Sequence, residues 1–284
     1  MSESLVTVLN SGTLSNRAAS GKDAPPVIDL VETCLDLMRE PQADNTSARL
    51  SVVMPVFNEH RWLRPILEQI RRVPIPKQII LIDDCSTDGT RDLVRELEQE
   101  AQRHPDPHNE LTVVYHERNR GKGASLRTGF QHVRGEVVIV QDADLEYSPR
   151  DYPALIAPIV QGEADVVYGS RYLGTSRRVL NFWHTRINRW LTTLSNIFTG
   201  LDLTDMETCY KVFRADVLRD IAPRLKSDRF GFEPEVTAHV ARRKLRVYEV
   251  PVRYAPRSYA QGKKIRWWDG LQAVWCIISS HFAR

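Results

Sequence analysis

The sequence predicts an α/β fold with a mostly parallel central sheet, and three observations carry that expectation. From Arg49 onward, short β-rich apolar runs alternate with longer helical stretches, the signature of βαβ units. Each apolar run ends in a polar or glycine-bearing segment: PVFNE, DDCSTDG, ERNRGKG, DADLE and GSRY. In open α/β sheets ligands bind beyond the carboxyl ends of the strands, so these segments mark the expected site. A chain of 284 residues, 42% hydrophobic and 26% charged, also has ample material for such a core.

The elements follow in order. Strand LSVVMPV precedes a helix over 60–72, and QIILIDD precedes one over 88–103. LTVVYH leads to a helix over 122–134, EVVIVQD to one over 149–161, and ADVVYG closes the regular part. After Arg171 the alternation breaks. Residues 179–200 place Leu180, Trp183, Ile187, Trp190, Leu191, Leu194 and Phe198 at helical spacing, with Arg178, Arg186 and Arg189 between them. A second stripe runs from Trp267 through Leu271, Val274, Trp275 and Ile278 to Phe282. Such stripes read first as core helices, and tryptophan mixed with arginine also fits helices lying in a membrane interface.

Residues 1–48 read as an N-terminal extension. A polar tail reaches Pro25-Pro26, a helical pattern follows (Val27, Leu30, Val31, Cys34, Leu35, Met38), and the linker PQADNTSA ends it. The organisation expected is extension 1–48, an α/β domain 49–250, and a basic segment with an amphipathic helix over 251–284. No secretory leader and no apolar run long enough to span a bilayer is visible, which predicts a cytoplasmic chain, soluble or peripheral.

Net charge is +3, too small to suggest a nucleic-acid binder. The basic residues concentrate late: Arg253, Arg257, Lys263, Lys264, Arg266 and Arg284 face only Asp269 after Pro251, a bias suited to anionic substrates or a membrane surface. Cys34, Cys85, Cys209 and Cys276 are scattered without a CxxC pair and read as reduced thiols.

The motifs carry the chemistry. In DADLE, an extended chain would set Asp142, Asp144 and Glu146 on one face, where they repel unless a cation sits among them. Oxygen-only ligands favour Mg²⁺ or Mn²⁺ over zinc; a solvated acidic loop is the alternative. NRGKGASLRTG fails as a dinucleotide fingerprint, because Leu126 stands where a third glycine belongs, and the Walker pattern is absent. Its glycine turn, Lys122 and the following helix N-terminus can still approach a phosphate. In LIDDCSTDGT, Thr87 or Asp88 reads as an N-cap, while Asp84 at a strand end can accept bonds from a base or ribose.

MPVFNE, DDCSTDGT, NRGKGASLRTGF, DADLE and GSRY, in this order and spacing, resemble the family 2 inverting glycosyltransferases of the GT-A fold. The later DLTDMETCYKVFR, FGFEPE and EVPVRYAPRSYAQGKKI narrow the resemblance to the polyprenyl-phosphate sugar synthases, including the dolichyl-phosphate mannose and glucose synthases. It covers about Ser51 to Gly270 and implies a single Rossmann-like GT-A domain with peripheral C-terminal amphipathic helices.

By that resemblance Pro55, Phe57 and Glu59 line a UDP- or GDP-linked sugar, Asp84 reads its base or ribose, and Lys122 lies near its phosphates. Asp142 and Asp144 hold Mg²⁺ or Mn²⁺ on the diphosphate. Glu146 stands where relatives carry a third metal-proximal group, often an amide. Arg171, Arg257, Ser258 and Lys263 receive the phosphate of a polyprenyl acceptor, which needs positioning and no deprotonation. Relatives often carry C-terminal transmembrane helices; without them, contact is expected at the cytoplasmic membrane face. Glu207 lies where a base stands in relatives that glycosylate hydroxyls; with Glu233 and Glu235 it can equally pair with an arginine. A soluble or polysaccharide hydroxyl acceptor, and a non-catalytic nucleotide-sugar-binding protein, are the alternatives. Oligomeric state is open, a homo-oligomer included.

Overall fold

The computed structural model describes residues 50–174, 178–229, 231–257 and 267–282. The expectations for 1–48, and for Ser258 and Lys263, lie outside them. Strand β1 (Leu50–Val56) leads to α1 (His60–Arg71), β2 (Lys77–Asp83) to α2 (Thr90–Arg103), and β3 (Asn109–Tyr115) to α3 (Lys122–Phe130). Strand β4 (Val137–Val140) is followed by a 3-10 turn over Pro149–Asp151 and α4 (Tyr152–Val160), then β5 (Val166–Ser170) and α5 (Phe182–Thr199). Strand β6 (Lys211–Arg214), α6 (Ala215–Ile221), α7 (Phe232–Arg242), β7 (Val247–Pro251) and α8 (Trp267–Phe282) complete the order.

The strands form one sheet in the order β3-β2-β1-β4-β6-β5-β7. All pairings are parallel except those of β6, which runs antiparallel to both β4 and β5. The interior strands are buried along their length, as expected when helices cover both faces; edge strands β3 and β7 are only partly buried. Helix α1 presents Leu63, Ile66, Leu67 and Ile70 to the core at helical spacing. Helix α3 lies so close that a Cβ on Gly129 would fall 2.5 Å from Val53 Cγ1 and 2.7 Å from Ile82 Cδ1.

Several expected boundaries move for physical reasons. Helix α2 begins at Thr90, because Gly89 at φ 90° cannot be helical; the Asp88 carboxylate accepts from Thr90 N at 3.1 Å and so caps from one position further out. The helix expected over 122–134 ends at Phe130, and the one expected over 149–161 starts as a 3-10 turn at Pro149. The core reading of 179–200 holds for part of the stripe only: α5 buries Leu191, Thr192 and Ser195 and packs Leu194 and Phe198 against the core, while Trp183, Ile187 and Trp190 are exposed. Asn181 caps it, accepting from Trp183 N and His184 N, and left-handed Gly200 ends it. Among the described residues no helix is long and apolar enough to cross a membrane.

The β5–β7 half of the sheet is clamped at its base by Asp165. Its carboxylate accepts from Arg246 N at 3.0 Å, Arg246 Nη2 at 2.8 Å and Arg214 Nη1 at 2.7 Å. The Arg246 hydrogen bond, opposed by burial, leads in holding the acid down at about pKa 2. A folded-state pKa below the unfolded value stabilises above the unfolded pKa and ceases to as pH falls through the folded one. Asp165→Asn is expected to lose roughly 2 kcal/mol at pH 7 in urea denaturation, with the gap to the parent closing between about pH 4 and pH 2.

Candidate active site

The carboxyl ends of β1, β2, β4 and β5 bring Glu59, Asp84, Asp142 and Arg171 to one end of the sheet, as the strand-end rule requires. A cavity at the opposite end, lined by Leu50, Ile75, Val137, Ile156 and Arg219, holds none of the expected site residues. Pro55 and Phe57 are half-buried on the end of β1, next to the buried Glu59.

The acidic stretch after β4 is not extended. Strand pairing stops at Val140 and the chain turns, so the alternation that would align Asp142, Asp144 and Glu146 on one face does not persist. The carboxylates divide between two cations instead. Lys122, the first residue of α3, places Nζ 2.9 Å from Asp142 Oδ1 and 3.1 Å from Glu233 Oε1 of α7. Burial alone would raise the Asp142 acid and lower the Lys122 ammonium; their mutual attraction outweighs both, and the net shifts run the other way.

Arg257, just beyond β7, binds the rest. Its guanidinium meets Glu59 Oε2 at 2.9 Å, Asp144 Oδ2 at 2.7 Å and Glu146 Oε1 at 3.3 Å, and its backbone N–H donates to Glu146 at 3.0 Å. Glu146 also accepts from the Tyr254 hydroxyl at 2.8 Å. Even so, burial, and then the charges of Asp142 and Glu146, push Asp144 up to about 7 against the pull of Arg257. Among the described residues no three His, Cys, Asp or Glu side chains stand as a ready metal cage. The expected ligands are present, with protein cations between them.

Other expected residues are engaged within the protein. Arg171 was expected at an acceptor phosphate. Its Nε and Nη2 instead form a two-pronged pair with Asp205, each at 2.7 Å, and the guanidinium lies over the Tyr254 ring at 5.2 Å. Asp84, expected to face a base or ribose, accepts from Arg120 N at 2.9 Å and Gly121 N at 2.7 Å, with His116 Nδ1 at 2.7 Å. It pins the glycine turn to the end of β2. That turn is closed by protein as well: a Cβ on Gly121 or Gly123 would strike the Asp228 or Ser227 carbonyl oxygen, and Ala124 N donates to Asp228 O at 3.1 Å. The glycines therefore serve backbone approach by residues 227–229, which also engage the Ala124 amide.

Three residues of this cluster drew no separate reading from the sequence. Asp205 sat in the quoted DLTDMETCYK without a partner to suggest its task, and Tyr254 and His116 look like ordinary strand-end residues. Glu207 and Glu233 gain weight: Glu207 Oε1 and Glu233 Oε2 are buried without a hydrogen-bond partner among the described residues. Glu235 is structural, accepting from Lys226 N and Ser227 N at 2.8 Å each.

Residues 51–222 match the Glycosyl transferase family 2 profile, so the chain belongs to that family and is a glycosyltransferase. An undecaprenyl-phosphate mannosyltransferase of Micrococcus luteus is 29% identical over 249 residues, covering 79% of this chain and 98% of the relative. An undecaprenyl-phosphate 4-deoxy-4-formamido-L-arabinose transferase of Edwardsiella ictaluri is 31% identical across 75% of this chain, which spans 62% of that relative's length. Among solved structures, glucosyl-3-phosphoglycerate synthase of Mycobacterium tuberculosis with UDP superposes at TM-score 0.63 and 16% identity, over 93% of this chain and 87% of that one. The fold is therefore the expected GT-A arrangement.

Burial, then the charge of Glu233, pushes the Glu207 acid up to about 7, against Lys211 and Arg171. A raised acid stabilises the fold below its unfolded pKa and loses that contribution as pH rises through the folded value. Thermal unfolding of the parent is expected to weaken between about pH 4.5 and pH 7 through this group. Glu207→Gln, an amide close in shape to the protonated acid, should flatten that decline by on the order of 2 kcal/mol.

Proposed function

We propose that the protein transfers a hexose, glucose or mannose, from UDP-glucose or GDP-mannose to a polyprenyl phosphate at the membrane face, with inversion and with a divalent metal. The observation that supports the acceptor class most directly is the match to the undecaprenyl-phosphate mannosyltransferase along almost its entire length. The site chemistry supports the donor. Asp142 and Asp144 are oxygen donors at a strand end, and the burial and neighbouring charges that push Asp144 up to about 7 are what an added cation offsets. Asp142 and Asp144 are the residues that would hold Mg²⁺ or Mn²⁺, which as a Lewis acid stabilises charge on a departing diphosphate. Structural neighbours crystallised with Mn²⁺ and a nucleotide or nucleotide sugar support the same reading.

The rest of the reaction falls to the chain itself. An acceptor phosphate oxygen bonds to sugar C1 as the bond from C1 to the nucleoside diphosphate breaks. A phosphomonoester dianion is already a competent nucleophile, so its positioning matters and a base does not. Lys122 and Arg257, beside Asp142 and Asp144, set positive charge where the diphosphate oxygens gain negative charge. Pro55, Phe57 and Glu59 border the nucleotide side, and Asp84 acts by holding the glycine turn. Arg171, fixed by Asp205, borders the acceptor side; the acceptor-phosphate roles of Ser258 and Lys263 rest on the sequence resemblance alone. A second reading draws on Glu207: an acid at about 7 with an unpartnered oxygen suits a base for a hydroxyl acceptor.

A transfer assay with radiolabelled UDP-glucose and GDP-mannose, undecaprenyl or dolichyl phosphate, and Mg²⁺ or Mn²⁺ should give solvent-extractable glycolipid. No lipid-linked product with any donor, despite tight nucleotide binding, overturns the reading. Loss of activity in Glu207→Gln with a bell-shaped pH profile on a hydroxyl acceptor would favour the alternative.

Removing Arg257 should expose the carboxylate crowding directly. Arg257→Gln is expected to lower the stability of the metal-free protein by about 3 kcal/mol, and Mn²⁺ alone should recover part of the loss in a melting experiment. A variant that melts like the parent would show that Glu59, Asp144 and Glu146 do not depend on this counter-ion.

A further inference from the structure

We propose that residues 27–40 dock as an amphipathic helix in the groove at the base of the sheet, the end opposite the active site. The groove encloses about 430 Å³ between the first residues of β1 and β4 and the helices α4 and α6. Leu50, Val137, Ile156 and Ile159 form its apolar wall, and Val160 at the end of α4 stands 40% exposed beside them. That is the volume of a small-molecule pocket, room for several side chains of one helix face.

The chain supplies an occupant from its own sequence. Val27, Leu30, Val31, Cys34, Leu35 and Met38 share one face at helical spacing, and Asp29, Glu32, Asp36 and Glu40 fall on the other. A helix of about 14 residues is marginal in isolation and gains its stability by packing the apolar face. Reach is no obstacle. Leu50 belongs to the groove wall, and Glu40 lies ten residues before it. Ten residues span up to about 35 Å, against about 21 Å for the length of the helix itself. So short a tether holds the segment at a roughly millimolar effective concentration, which favours its own groove over that of a second copy.

Charge favours the same match. From Asp23 to Glu40 the sequence carries Asp23, Asp29, Glu32, Asp36 and Glu40 against Arg39 alone. Arg134, Arg214 and Arg219 border the groove with Glu136 and Asp216. Arg134 pairs with Glu110, and Arg214 with Asp165 and Asp216. Arg219 is exposed and has no acid partner among the described residues. It can meet Glu32 or Glu40, which border the apolar face of the segment. An anionic lipid surface is the poorer match, because it repels an acidic polar face. The docked segment would strap the start of β1 to α4 and α6 and leave the active edge open. The inference is therefore independent of the proposed reaction.

The test uses the full chain in solution. Hydrogen exchange read by peptide mass spectrometry should show the amides of 27–40 slowed by about tenfold or more relative to an unstructured chain. Cys34, on the docking face, should react correspondingly slowly with a maleimide. Val160→Asp places a charge on the groove wall, and Arg219→Glu reverses the exposed cation. Each should bring both rates to within about threefold of the unstructured chain while β2 stays protected. Leu30→Asp/Leu35→Asp should do the same from the other side and speed exchange at the end of α4. Free exchange of 27–40 in the parent overturns the inference, as does protection that survives all three variants. Protection that grows with protein concentration would give the groove to a second copy, and protection that needs added vesicles would give the segment to a membrane. Either result overturns docking within one chain.

Discussion

Carboxylates crowded at the end of a buried sheet must find positive charge, and the rest of this site is arranged around that requirement. Asp142 and Asp144 follow a strand with no solvent on either face, and Glu59 and Glu146 lie beside them. The cations come from distant parts of the chain. Lys122 arrives on α3 and links Asp142 to Glu233 of α7; Arg257 arrives from beyond β7 and gathers the other three acids. Each removes repulsion and also joins segments far apart in sequence. The aromatic packing of Tyr147 on Tyr210 and Tyr254, with ring centroids 4.9 and 5.0 Å apart, fixes the frame in which those charges meet. Electrostatics and packing are the same event here.

The first half of the fold was legible in the sequence because its signals are local. Apolar runs such as QIILIDD and helical stripes such as that of α1 depend on neighbours a few residues away, and each became the element expected. The second half was less legible. Strand β6 is only Lys211–Arg214 and starts with a buried lysine whose ammonium donates to the Met206 and Thr208 carbonyls, so no apolar alternation announces it. Helix α5 carried the pattern of a core helix, yet a pattern states that a face is apolar and not what covers it.

The site divides in the same way. Its residues could be named from motifs, because strand-end acids and glycine turns are short-range signals. Their partners could not, since pairing is a long-range property. Arg171 reads as a phosphate ligand without any sign of Asp205 against it, and Asp84 reads as a base or ribose ligand without any sign of the Gly121 amide on it. The glycine pair in NRGKG is the clearest instance. It suggests a phosphate, whereas the space it creates is filled by the backbone of residues 227–229.

The reversed direction of β6 has a wider consequence. A parallel strand offers its end to the active edge, but an antiparallel one offers its beginning. The loop that enters β6 therefore delivers Asp205, Glu207 and Cys209 to an edge otherwise supplied by strand exits. Two sets of segments with opposite chain polarity thus share one edge. The exits of β1, β2 and β4 carry Glu59, Asp84, Asp142 and Asp144, while the entry to β6 brings its own acids to the middle of the same edge. That entry is tied to its neighbours by the Arg171–Asp205 pair and by the Glu249 carboxylate on Thr204 N, so a change in the loop is felt at the exit of β5 and on β7.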